Sequence, residues 1–165
     1  MSIIIYYLQA NFFSWFNIAG IKPNIFIILV MFIGLFANQS MGTIYGMIIG
    51  IFLDFVIGSK VGITAISMGI IGFLAGIIDK NFSKDTRMTM IFIVLSSTII
   101  FESIECIMKY ILCGNIYNII SFLKVLSIET LYNIIITIIL YPLIQKVGYY
   151  IENEFKGNKI LTRYF

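Results

Sequence analysis

The sequence predicts an all-α integral membrane protein, a compact bundle of about six transmembrane helices. Three observations predict it. Hydrophobic residues make up 60% of the 165 residues and charged residues only 12%, about half the ~25% usual in soluble domains. The mean hydropathy is +1.01. Apolar runs recur at lengths of roughly 16 to 25 residues between short turn-forming stretches, the length that a bilayer core about 30 Å thick requires of a helix.

The first helix is expected over residues 2–17, where Gln9, Asn11 and Ser14 interrupt the apolar run. The turn "AGIKPN" ends it: Gly20 stops a helix, and Pro23 suits the first turn of the next. The second helix covers 21–37. "NQSMG" is a tight connection to the third, 42–58, and "GSKVG" is another to the fourth, 61–78. The charged stretch "DKNFSKDTR" precedes a fifth helix at 88–112. Around 116–126, Ile116, Ile119, Ile120, Leu123 and Leu126 fall on one helical face, and Asn115, Asn118, Ser121 and Lys124 fall largely on another. That segment is too short to span and reads as an interfacial amphipathic helix. The sixth helix covers 129–147. Residues 1–147 thus form one transmembrane domain, and 148–165 form a tail. Short turns make successive helices neighbours.

Orientation follows from the basic residues. Lys80, Lys84, Arg87, Lys146, Lys156, Lys159 and Arg163 fall on one side, against Lys22, Lys60, Lys109 and Lys124 on the other. The richer side is expected in the cytoplasm, with both termini. The N-terminus has no Lys/Arg region of the kind that opens a signal peptide.

Gly42, Gly46, Gly50, Asp54 and Gly58 stand four apart. A step of four residues advances about 400°, so the stripe drifts around its helix. Such a groove suits a partner crossing at an angle. Close backbone approach supplies the attraction in lipid, and glycine permits it. Gly72 and Gly76 offer a second small face. Leucine at Gly46 or Gly50 is expected to disrupt packing, and alanine to be milder. Asp54 costs about 2.5–3.5 kcal/mol at a helix centre on insertion scales, so it should face protein or water. Two readings stand: a cap for the turn "GSKVG", with Lys60 as a candidate partner, or a contact to a partner or ligand. Glu102, Glu105 and Lys109 share a face of the fifth helix, with Glu105 and Lys109 in the favoured i,i+4 order. They form either a local ion pair or a polar groove for a partner.

Catalysis is not expected. With no histidine, Ser–His and Cys–His nucleophiles and HExxH metal sites are excluded. The serine of "AISMG" therefore lacks a base. Asp54 and Asp79 are expected at opposite membrane edges, too far apart for an aspartyl dyad. Cys106 and Cys113 lack the spacing of a metal site. No catalytic, cofactor or metal residue is assigned. A net charge of +3, dispersed along the chain, gives no reason to expect nucleic acid.

The stretches "GIKPNIFIILVMFIGLF", "GTIYGMIIGIFLDFVIGSKVGITAISMGIIGFLAG" and "SIETLYNIIITIILYPLIQKV" resemble the rod shape-determining protein MreD family. Gly20, Pro23, Gly46, Gly50, Asp54, Gly58, Gly62, Gly72, Gly76, Asn133 and Pro142 fill the places of its pattern. Asn24 stands where that pattern has Asp. The resemblance implies a non-enzymatic membrane subunit of the bacterial cell-elongation machinery. It implies as partners an MreC-like bitopic protein, MreB, RodA and a class B penicillin-binding transpeptidase. It also implies a fold similar to the substrate-binding subunits of energy-coupling-factor transporters. A vitamin-like binding subunit is therefore the alternative. Such a site needs convergent polar groups in a cavity, and the helix interiors offer few.

Overall fold

The computed structural model describes residues 21, 23–58, 61–81, 86–114 and 118–156. They form five helices: α1 (Ile25–Phe36), α2 (Gln39–Ile57), α3 (Ile63–Asn81), α4 (Arg87–Cys113) and α5 (Ile119–Lys156). The helix expected over 2–17 lies outside the described residues.

The outward surface is that of a membrane protein. Ile44, Ile48, Phe55, Phe92, Leu131 and Ile139 are all about half or more exposed. Large apolar side chains spread over every long helix face lipid, where a soluble monomer would have polar cover. α2, α4 and α5 are each long and apolar enough to cross a bilayer.

α1 is different. It has 12 residues, about 18 Å of helix against a hydrocarbon core of ~30 Å. Nine of those residues are buried, on all sides of the helix. A helix that is apolar all round belongs in a core, and α1 is this bundle's core. Phe26, Ile27, Val30, Met31 and Leu35 are fully enclosed by α2, α3, α4 and α5. Six independent spans are therefore not supported. Composition alone suggested six because a core helix and a lipid-facing helix are equally apolar.

The start of α1 lies within the protein, and its first backbone groups need partners there. Asn133 of α5, 0% exposed, provides one. Its Oδ1 accepts the Asn24 backbone N–H at 3.0 Å, and its Nδ2 donates to Thr98 Oγ1 of α4 at 3.1 Å. Thr98 in turn donates to the Val94 carbonyl at 2.9 Å. One amide thus joins α1, α4 and α5. Irregular backbone at membrane depth survives only when protein satisfies it in this way. Pro23, beside this junction, is buried.

The interfacial helix expected at 116–126 and the sixth helix expected at 129–147 are one element. α5 runs unbroken for 38 residues. No glycine or proline interrupts the chain between Ile119 and Tyr141, so nothing stops the helix where its polar face changes to an apolar one. The helix passes Pro142, which leaves the carbonyl four residues earlier without its usual N–H. It also continues into the expected tail. Gly148 is buried against the Phe36 ring, at 2.6 Å from where its Cβ would stand. Tyr149 meets the same ring edge-on at 5.9 Å. At the start of α4, the Arg87 guanidinium lies 5.4 Å from the Tyr141 ring centroid, a cation–π contact to α5.

Candidate functional site

Two places gather the residues singled out by the sequence: the antiparallel hairpin of α2 and α3, and a cleft between α4 and α5.

In the hairpin the glycine stripe of α2 faces α3 and α1. A Cβ on Gly42 would stand 2.5 Å from the Gly72 carbonyl oxygen and 2.6 Å from Gly34 Cα. One on Gly46 would stand 2.8 Å from the Met68 carbonyl carbon, and one on Gly50 would lie 2.6 Å from the Ala65 nitrogen. Gly76 abuts the backbone of Gln39. These pairs run antiparallel from one end of the hairpin to the other. Gly34 of α1 completes a three-helix contact with Gly42 and Gly72, and the sequence reading missed it. Its only signal was that it lies within an otherwise unbroken apolar run.

At the end of the stripe, Asp54 is 0% exposed. Its Oδ2 accepts the Gly62 N–H at 2.7 Å and, more weakly, the Ala65 N–H at 3.4 Å. Its Oδ1 accepts the Thr64 N–H at 3.2 Å. Those donors are the free N–H groups at the start of α3. Asp54 therefore does from the neighbouring helix what an N-cap aspartate does from its own, and its charge meets the positive end of the α3 dipole. Gly58 ends α2 in the left-handed region, at φ 71. Gly62, at φ 111, presents its N–H to Asp54 in a conformation that side chains resist. Lys60 lies outside the described residues. Asp79 stands in the last turn of α3, about 22 Å along it from the end that Asp54 caps, so the two do not form a dyad. Ser67 spends its hydroxyl on the Ile63 carbonyl at 2.9 Å.

The second place is an open cleft of about 230 Å³. Glu102, Glu105 and Lys109 of α4 form one wall, and Ser121, Phe122 and Val125 of α5 form the other. The half-buried thiol of Cys106 is free and lies on the α4 wall. Glu105 is paired with Lys109 and accepts a hydrogen bond from Thr64 Oγ1 at 3.3 Å. The hydrogen bond from Thr64 ties the cleft wall to the start of α3, beside the Asp54 cap. Behind Glu102 stands Glu129 of α5, 6% exposed, whose carboxyl meets those of Glu102 and the side chain of Asn24. Glu129 Oε1 has no hydrogen-bond donor among the described residues. The sequence reading named Glu102, Glu105 and Lys109 but not Glu129. In "SIETLYN" a polar residue reads as the start of a helix, and only the continuous α5 carries it inside. Among the described residues, no three Cys, Asp or Glu side chains are placed to hold a metal ion.

The family model described as rod shape-determining protein MreD matches residues 1–150. The chain belongs to the MreD family. MreD-family membership makes rod-shape determination its biological setting and a membrane its location, in keeping with three helices able to span one. No curated protein and no solved structure matches the chain. The expected likeness to energy-coupling-factor subunits therefore has no support.

Proposed function

We propose that this MreD-family protein is a non-enzymatic scaffold subunit of the cell-elongation machinery. In this role it holds an MreC-like bitopic protein beside MreB, RodA and a class B penicillin-binding transpeptidase. The observation that carries the reading is the family match over residues 1–150. The way the chain uses its buried polar groups supports it. Asp54, Asn133, Thr98 and Ser67 are all bonded to backbone or to one another, which leaves them to hold helices together and not to bind or transform a substrate. The cleft, at about 230 Å³, is below the roughly 300–1,000 Å³ of small-molecule sites. That size weighs against the vitamin-binding alternative.

Depletion of the protein in rod-shaped cells tests the reading. Cells are expected to become round or wide whatever vitamins are supplied. Normal rods with a vitamin-uptake defect would replace it with the transporter reading.

The scaffold is placed with both termini in the cytoplasm, on the charge bias between Lys80, Lys84, Arg87 and the C-terminal basic residues and the opposite loops. Alkaline phosphatase, active only outside the cytoplasm, is expected to be inactive when fused after Arg87 or after Phe165. High activity at either junction overturns this orientation.

A further inference from the structure

We propose that this protein holds a step in bilayer thickness, with the lipid thinner against α2 than against the α4–α5 pair. The partner is the acyl layer of the membrane, and the inference stands apart from the scaffold reading.

The heights of the lipid-facing bands motivate it. On α2 the large exposed apolar side chains run from Ile44 to Ile57, about 20 Å along the helix. The exposed polar residues Asn38 and Ser40 stand before them, and Gly58 ends the helix. On α4 the corresponding band runs from Met88 to Leu112, about 36 Å. On α5 exposed apolar side chains run from Ile119 to Tyr150, about 46 Å. A hydrocarbon core of ~30 Å lies between the short band and the tall ones. The two sides face apart. α2 packs on α1 and α3, and α5 packs on α1 and α4, so the core helix stands between them.

One hydrogen bond sets the two sides in register. Thr64 donates from Oγ1 to Glu105 of α4 and from its backbone N–H to Asp54 of α2, so Asp54 and Glu105 lie near one level. From there α2 continues to Ile57, about 5 Å, and α4 continues to Cys113, about 12 Å. The α4–α5 end therefore stands about 7 Å beyond the end of α2. It is not polar: Ile111 is 67% exposed, Ile119 70% and Ile120 72%. With Ile107 and Leu123 they carry the lipid-facing surface of Phe92, Leu131 and Ile139 outward. Acyl chains that cover the middle of this surface follow it by stretching, and beside a short band they thin. Tilt does not remove the mismatch. At the ~20° common for spanning helices, a band of about 36 Å still rises about 34 Å. Tilting the whole bundle also shortens the short side further.

The test uses the full chain, purified and reconstituted alone in dioleoyl phosphatidylcholine vesicles. Cys106 and Cys113 are replaced by serine. A bimane label is then placed through a cysteine at Ile111, Ile120, Ile57 or Ser40 in turn, all exposed positions. Aqueous iodide and doxyl-labelled lipid are the quenchers. Labels at Ile111, Ile120 and Ile57 should be quenched by doxyl lipid. Iodide should quench them at least about fivefold less than the label at Ser40, which lies beyond the thin side. Ile111 and Ile120 report the same end of the bundle, so either variant alone gives the answer. Iodide that reaches both as freely as Ser40 would mean that the tall end stands in water, and overturns the inference. Labels there shielded from both quenchers would mean that protein covers it, from this chain or a second copy, and overturn it too. So does a Ser40 label quenched by doxyl lipid and hidden from iodide, since the bilayer would then be as thick against α2. Oriented infrared dichroism reads the mean helix tilt. A value above about 35° would fit the tall band into an even bilayer and overturns the step.

Discussion

Gly72→Leu and Gly46→Leu are each expected to remove most of the protein from the membrane fraction. At Gly72 a Cβ would run into the Gly42 carbonyl oxygen, and at Gly46 into the Met68 carbonyl group. Both obstacles are helix backbone, which cannot rotate aside as a side chain can. Relief comes only by parting α2 from α3, and with them the contact to Gly34 of α1. Overpacking costs about 1–3 kcal/mol and occasionally more. Collision with backbone places these variants at or above the top of that range, in proteins whose whole margin is about 5–15 kcal/mol. The spacing of the stripe suggests that alanine is milder than leucine. The geometry adds that the clashing atom is the Cβ itself, so Gly46→Ala and Gly72→Ala should also lose abundance, though less than the leucine variants. Gly69→Ala is the control. Its Cβ would meet Met47 Cγ at 2.9 Å, and that flexible side chain can move. Immunoblots of membranes and thermal unfolding in mild detergent read the series. Wild-type values for both leucine variants would show that the helices do not pack along this stripe.

Asp54 gives the second large effect, and its substitutions should fall in a graded order. Asp54→Leu leaves the N–H groups of Gly62 and Thr64 without acceptors inside the protein. Each unsatisfied buried group costs about 1–3 kcal/mol, so a loss of roughly 2–6 kcal/mol is expected for the two. Asp54→Asn keeps one acceptor oxygen and turns an NH2 toward donors that Asp54 now satisfies with its second oxygen. Both oxygens are in use, so asparagine should be intermediate, at about 1–2 kcal/mol, and not neutral as a single-acceptor cap would allow. Detergent unfolding midpoints should rank wild type above Asn and Asn above Leu. An Asn variant as stable as wild type that no longer supports rod shape would reassign Asp54 from capping to partner contact.

The residues that sequence exposed most clearly are those whose chemistry conflicts with their surroundings. A carboxylate in an apolar run and glycines at a constant interval both signal packing without any fold in hand. Their partners were not legible. The donors to Asp54 are backbone N–H groups of a turn, and every residue but proline carries one. Gly34 stands outside the periodic stripe and joins it only through the way α1 crosses the hairpin. Glu129 was missed because polarity reads as a boundary when the chain is taken in order, whereas the intact α5 makes it an interior residue. The short core helix α1 was taken for a span for a related reason. Hydropathy reports that a segment avoids water, not whether lipid or protein covers it.

The continuity of α5 has a mechanical consequence. Its 38 residues make a rod about 57 Å long, nearly twice the hydrocarbon thickness. Phe122 and Val125 of the cleft ride on one arm, and Gly148 and Tyr149, seated on Phe36, ride on the other. The Asn133 junction lies between them, at the natural fulcrum. A tilt of about 5° around Asn133 displaces the far end, about 35 Å away, by roughly 3 Å. Pro142, with its missing backbone bond, is the compliant point on that arm. A helix that stays rigid on either side of Pro142 would carry a displacement of one end to the other, and bending at Pro142 would absorb it.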